Sequence, residues 1–254
     1  MRAMLCAAMA LGLVGLASGS TRADEQAGLK ALIEKAITAH GGKDNIEKYK
    51  AVTTKLKGKA NAQGMVFDFT MEIMAQDPDK SKVTMDIDIM GQKINVLEIY
   101  NGDMGWSKNP ITGQIEAFNK EKLAETKEQA YAHRVESLVA LLGKEFKLTP
   151  LGESKIGEND AIGIRVSSEG HRDVSLYFDK TSNLLLKSET AAKDPMVGDK
   201  EFMQESFFSD YKDAQGLKYP TKLTMKRDGM DFINGEITEW VPSEKFEDSV
   251  FAKP

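Results

Sequence analysis

The sequence is poor in the residues that most often carry chemistry, with one cysteine and three histidines in 254 residues. Cys6 lies within an uncharged apolar stretch from Ala3 to Ala17, which follows Met1-Arg2 and leads through small residues to acidic Asp24-Glu25. That order reads as a secretory signal peptide, and a run of about fifteen residues falls short of the ~20 a spanning helix needs. Cleavage is expected after Ala23, which divides the chain into a signal peptide, 1–23, and one mature domain, 24–254. The expected location is periplasmic. A mature chain cut at this point has no thiol, which excludes disulfides and cysteine-bound metal. Cys6 also comes too early to serve as the lipidated cysteine of a lipoprotein signal.

Long apolar runs are missing after the signal, so no later segment is expected to span a bilayer. Positive charge is short as well: 34 basic residues stand against 39 acidic ones, for a net charge of −5. Loss of Arg2 and Arg22 with the signal lowers the basic count to 32 and the net charge to −7. Nucleic acid is disfavoured as a partner.

Catalytic patterns are absent too. His40, His133 and His171 share no metal-ligand spacing, and there is no G-x-S-x-G elbow, phosphate-binding loop or dinucleotide fingerprint. Ser167, Ser168, Ser206 and Ser209 fall in alternating runs with no neighbouring histidine to act as base. Asp68, Glu72, Asp86 and Asp88 fall on the polar side of alternating runs, where solvated acid is the default. The expectation is a protein that is not an enzyme, with no metal and no cofactor. His40, just before Gly41-Gly42, has a structural reading as a cation facing helix-terminal carbonyls.

What the sequence does have is periodicity. From Glu25 to His40, apolar Leu29, Leu32, Ile33, Ala36 and Ile37 recur at helical steps before a glycine stop. After Tyr49 the period becomes two. Met65, Phe67, Phe69, Met71 and Ile73 alternate with polar residues, and Val83, Met85, Ile87 and Ile89 do so again beyond Asp77-Pro78-Asp79, the pattern of an antiparallel hairpin. The meander continues to about Trp106. A second helical stretch is predicted from Asn119 to Leu142 with Gly143 as its stop, and short alternating runs resume from Phe146 to the end. No alternating βα pattern appears, so the prediction is α+β, mostly antiparallel, with one large curling sheet. Ten of the 13 methionines lie beyond the signal, and Met65, Met71, Met85, Met104 and Met225 fall on greasy faces. Methionine adapts to irregular apolar partners, but it also fills ordinary cores. The two readings part on whether the sheet is too wide for its own side chains to fill.

Ala39-His40-Gly41-Gly42 after the first helix, Tyr100 to Trp106, and Asn109-Pro110-Ile111-Thr112-Gly113 form an ordered set of turns and aromatic anchors. Phe178 to Leu185, Asp210 to Pro220 and the tail from Phe246 to Pro254 extend the set over nearly the whole mature chain. In this set the sequence resembles the LolA-like group of periplasmic outer-membrane lipoprotein-sorting carriers. The resemblance implies a half-open β-barrel covered by helices, with an apolar cavity that takes up lipid or lipoprotein acyl chains. Expected lining residues are Met65, Phe67, Phe69, Met71, Met85, Ile87 and Trp106, with Leu138 and Leu142 as lid contacts. The alternatives are an envelope sensor or scaffold that binds a protein partner, and a periplasmic hydrolase of envelope polymers.

Overall fold

The computed structural model describes residues 18–62, 64–89, 91–194 and 198–254. The expected signal peptide lies largely outside the described residues. Helix α1, Ser18–Ala39, begins before the expected cleavage point. Its end is fixed by Gly41, at φ +123°, where an added Cβ would lie 2.4 Å from the Gly216 carbonyl oxygen. Only glycine allows the chain to turn that close to its neighbour. A short helix α2, Lys43–Lys48, follows.

The first meander consists of β1 Ala51–Ala62, β2 Met65–Gln76, β3 Lys80–Ile89, β4 Gln92–Asn101, β5 Met104–Lys108 and β6 Ile115–Ala117. Helix α3, Lys120–Glu136, starts where the Asn119 side chain accepts the Lys122 amide at 2.8 Å. It stops six residues before the predicted Leu142. Leu138 takes φ +69°, a conformation costly for leucine, and a separate 3-10 turn covers Val139–Leu142. Burial of the Leu138 side chain among α1 and β7 to β9 residues offsets that cost. The second meander holds β7 Lys147–Ile156, β8 Asn159–Ser167, β9 Val174–Asp179, β10 Leu185–Asp194, β11 Gly198–Ser209, the small hairpin β12 Lys212–Ala214 and β13 Leu217–Tyr219, then β14 Lys222–Arg227 and β15 Met230–Ser243.

All these strands but β12 and β13 form one thirteen-stranded sheet, in the order β6-β5-β4-β3-β2-β1-β15-β14-β11-β10-β9-β8-β7, antiparallel throughout. The predicted curling sheet is thus present, as an open sheet whose two meanders join where β1 pairs with β15. The chain leaves one edge at β6 and re-enters at the opposite edge, β7, by way of α3.

That connection requires curvature. Lys127 of α3 holds Asp103, in the β4–β5 turn, at 2.6 Å. Two residues earlier, Glu125 holds Arg172, just before β9, at 2.8 Å. In a flat sheet these partners would be about nine inter-strand steps apart, roughly 43 Å at ~4.8 Å per step. Both reach the same turn of one helix, so the sheet wraps around α3 as a half-barrel.

The main core lies between the sheet and the helices. Leu29, Ile33, Ala36 and Ile37 of α1 and Tyr131 and Val135 of α3 pack on Leu148, Ile164, Val166, Val174, Leu176, Phe178 and Leu185. The C-terminal tail docks on β3 and β4. Lys80 pairs with Asp248 at 3.0 Å, and the Asn101 amide donates to the Phe251 carbonyl.

Candidate ligand-binding trough

Residue register assigns the two faces of the first meander. Phe69 stands opposite Ile87 on β3 and Gly58 on β1, and Met71 stands opposite Met85 and Leu56. Leu56 and Gly58 face Ile237 and Gly235 on β15, and Ala60 faces both Phe67 and Ile233. Pairing residue by residue through to β8 links this face to Ile164 and Val166, so it is the same concave face that carries the helices. Asp68, Glu72, Asp86 and Asp88 fall on the opposite, convex face. There Lys59 meets Asp68 at 2.9 Å and Lys55 meets Glu239 at 2.9 Å. Glu72 also lies 3.9 Å from Lys55, while Asp86 accepts from the Asn95 side-chain amide and Asp88 from the Gly91 N–H.

The concave face of this meander has its own apolar cluster. Leu56, Ala60 and Phe69 are buried, with Phe67, Met71, Ile73, Met85, Ile233 and Ile237 packed against them, all from strands. Gly58 and Gly235 face each other across β1 and β15, and the Leu56 side chain lies 3.3 Å from where a Cβ on Gly235 would stand. A Cβ on Gly58 would lie 2.0 Å from the Asn234 carbonyl oxygen, so the tight coil of the sheet depends on this glycine. Phe69 is 3% exposed. Toward the hairpin tips the face opens, and Met65 is 55% exposed. A hollow of about 190 Å³ lies there, lined by Met65, Val66, Phe67 and Ile89. This is smaller than the roughly 300–1,000 Å³ of a typical small-molecule pocket. The hollow falls short of the expected cavity, and the strand face beside it is concave and apolar.

The structure brings six of the nine expected lining residues onto one face: Met65, Phe67, Phe69, Met71, Met85 and Ile87. Trp106 does not join them. It pairs with Ile99, which pairs with Lys82, which pairs with Met74, and Met74 alternates with the trough residue Ile73, so Trp106 belongs to the convex face. Leu138 is sealed inside the helix-covered core, and Leu142 packs against that core. Leu56, Ala60, Ile233 and Ile237 were not foreseen as lining. Their strands alternate plainly enough, but the pairing of β1 with β15, far apart in sequence, is what brings them beside Phe69.

Polar groups line the side of the trough nearer the helices. Ser206 and Ser188 face each other on β11 and β10, and the Ser188 hydroxyl donates to Glu136 of α3 at 2.5 Å. One concave position toward the tips, Arg227 stacks on Phe232 at 3.5 Å and Phe202 at 4.6 Å, and pairs with Asp194 at 3.0 Å.

The histidines act separately. His40 Nδ1 lies 2.8 Å from the Ala36 carbonyl oxygen, and its Nε2 accepts the Leu185 amide at 3.4 Å, which requires a neutral ring. Burial lowers its pKa, outweighing the raising effect of the Ala36 hydrogen bond. The expected cationic cap is instead a neutral pin between α1 and β10. His171 holds Glu128 at 2.9 Å and stacks on Tyr131 at 3.9 Å. Burial, helped by nearby Glu128, pushes the Tyr131 phenol up to about 12. His133 is exposed beside Glu136. Among the described residues no three His, Cys, Asp or Glu side chains gather as a metal site, and no helix is long and apolar enough to cross a membrane.

Comparison with solved structures identifies the architecture. A LolA superfamily protein from Nitrosomonas europaea superimposes with a TM-score of 0.54 at 12% identity, over 88% of this chain and 97% of that one. A DUF1329 family protein from Desulfovibrio piger gives 0.58 at 14% identity, over 88% and 96%. A domain assigned to outer membrane lipoprotein sorting from Vibrio parahaemolyticus gives 0.52 at 13% identity, over 88% and 95%. No protein-family model and no curated protein sequence matches the chain. The chain has the LolA-like fold.

Proposed function

We propose that this chain is a periplasmic carrier or binding protein that holds lipid or lipoprotein acyl chains along the trough of β1, β2, β3 and β15. The observation that carries the reading is an apolar cluster built from strands alone on a concave face whose helices pack elsewhere. The LolA-like fold supports it. Burial of an acyl chain supplies roughly 0.8 kcal/mol per CH₂, so a few turns of chain on this surface suffice for binding. Catalysis plays no part in this reading.

Phe69→Asp places a charge in the middle of the trough. The variant should be exported like the native protein and carry no lipid in native mass spectra of periplasmic preparations. Undiminished co-purified lipid would sink the proposal. A second reading, a module of the same fold that binds an envelope protein, is favoured by the apolar tips Met65, Val66, Met203 and Met230, which are exposed. Under that reading, substitution at the tips abolishes the interaction and Phe69→Asp leaves it intact.

A further inference from the structure

We propose that Arg227, held between Phe202 and Phe232, receives the anionic headgroup of an amphiphile whose tail lies along the trough, the head being a carboxylate or a phosphate. The inference rests on the trough reading and adds the chemical class of the ligand.

Position comes first. Phe67, Ala60, Ile233 and Met225 form one transverse row across β2, β1, β15 and β14, each facing the next. The row is about 14 Å long, at ~4.8 Å per step. Arg227 is the next concave position after Met225 along β14 and faces Gln204 on β11. A cation therefore stands at the end of the apolar floor, on the side where Gln204, Ser206 and Ser188 make the wall polar.

The second argument is the unused capacity of the guanidinium. It has five N–H donors in a planar fork. Among the described residues Asp194 Oδ2 is the one acceptor that meets it, and Nε is buried with no partner. The other guanidinium that leans over the concave face, Arg172, is tied by more partners: its Nη1 reaches both oxygens of Glu125 and the Ala191 carbonyl, and its Nε lies 3.7 Å from Glu201. Arg172 is a structural tie, whereas Arg227 has donors to spare and is 30% exposed. Stacking on two phenyl rings fixes the plane of the fork while leaving its edge for hydrogen bonding, the arrangement that suits bidentate capture of a carboxylate or phosphate. Asp194 then acts as the internal anion that an incoming headgroup shares or displaces.

The test compares three ligands of one chain length: palmitate, palmitoyl-lysophosphatidylglycerol and uncharged monopalmitoylglycerol, with inorganic phosphate as the headgroup-only probe. Native protein should bind the two anions about tenfold more tightly than the neutral lipid, the worth of one charge-assisted contact. Arg227→Gln should erase that preference and leave the neutral lipid unchanged. Asp194→Asn, which keeps the arginine, should tighten binding of the anions alone, an effect that a merely structural arginine does not produce. This second variant also decides the matter if Arg227→Gln fails to fold. Equal native affinities for all three lipids, equal losses in Arg227→Gln, or no gain in Asp194→Asn would overturn the headgroup assignment while the trough reading stands. Phosphate binding as tight as that of the lysophospholipid would show a free-anion site and overturn it too. Failure of all three lipids to bind would count against the trough itself.

Discussion

The two halves of the sheet use the same alternating pattern and reach different ends. On β8 and β9 the concave residues Ile164, Val166, Val174, Leu176 and Phe178 are almost wholly removed from water, because Ile33 and Ala36 of α1 and Val135 of α3 lie on them. On β1 and β2 the equivalent positions bury only Leu56, Ala60 and Phe69, and they do so against other strands. The sealed half has side chains enough to complete its own core. The open half has an apolar cluster of strand residues and no helix packed on it, and the proposed ligand site rests on that difference.

The strongest way to break this comparison is to empty each half in turn. Phe178→Ala should cost about 4 kcal/mol, as expected for deletion of a fully packed phenylalanine. Phe69→Ala should cost less, about 2–3 kcal/mol, because Phe69 is itself buried but the residues packed on it, such as Phe67, Met71 and Met85, are only partly so and can relax. Urea unfolding at a common slope measures both. Equal losses would mean that the trough is packed as tightly as the core, and the distinction would fail.

Next in size is the tie that curves one half over the other. Glu125 is buried, and it accepts from Arg172 at 2.8 Å and from the Lys193 amide at 3.0 Å. Glu125→Ala should destabilise by about 3 kcal/mol, since it strands a partly buried guanidinium and an amide. Adding Arg172→Ala should recover part of that loss. Simple additivity in the double-mutant cycle would show that the pair is not coupled.

Much of this architecture was legible in the residues. Alternation at Met65 to Ile73 and at Val83 to Ile89 gave the hairpin of β2 and β3 and the correct face for Phe67, Phe69, Met71, Met85 and Ile87. Trp106 could not be assigned to a face in the same way. Its orientation depends on the register across β4 and β5, and a shift of one residue reverses a strand. Leu138 and Leu142 looked helical by spacing. Whether they capped a cavity or sealed a core depended on the left-handed step at Leu138, which no local signal marks. Arg227 went unremarked because its partners Phe202, Phe232 and Asp194 come from three different strands or their ends, and sequence alone does not say that these meet.

A smaller effect separates the halves by pH. His40 ties α1 to β10 in the sealed half only while neutral, because Nε2 must accept the Leu185 amide. Its folded pKa is lowered by burial, so its contribution is fully present above the ordinary value of 6.5. As pH falls below that value the unfolded chain takes up the proton first, and the contribution is lost as pH drops toward the depressed folded pKa. Against native protein, His40→Gln should be less stable at pH 7.5, with a gap that narrows by pH 5. A gap that widens on acidification would mean that the ring is charged in the folded state, as a helix-end cation would be.

The smallest effect on stability should come from the rim of the open half. Met230 is 71% exposed at the β14–β15 turn, opposite Arg227, so Met230→Ser should change unfolding free energy by less than about 0.5 kcal/mol. Its consequence should appear in association instead. If the tips guide a greasy ligand into the trough, the serine variant binds monopalmitoylglycerol with a slower on-rate and an unchanged melting temperature. If the tips dock a protein, lipid kinetics stay native. A serine variant that melts several degrees lower would place Met230 in a packed core, and the rim would then belong to the sealed half after all.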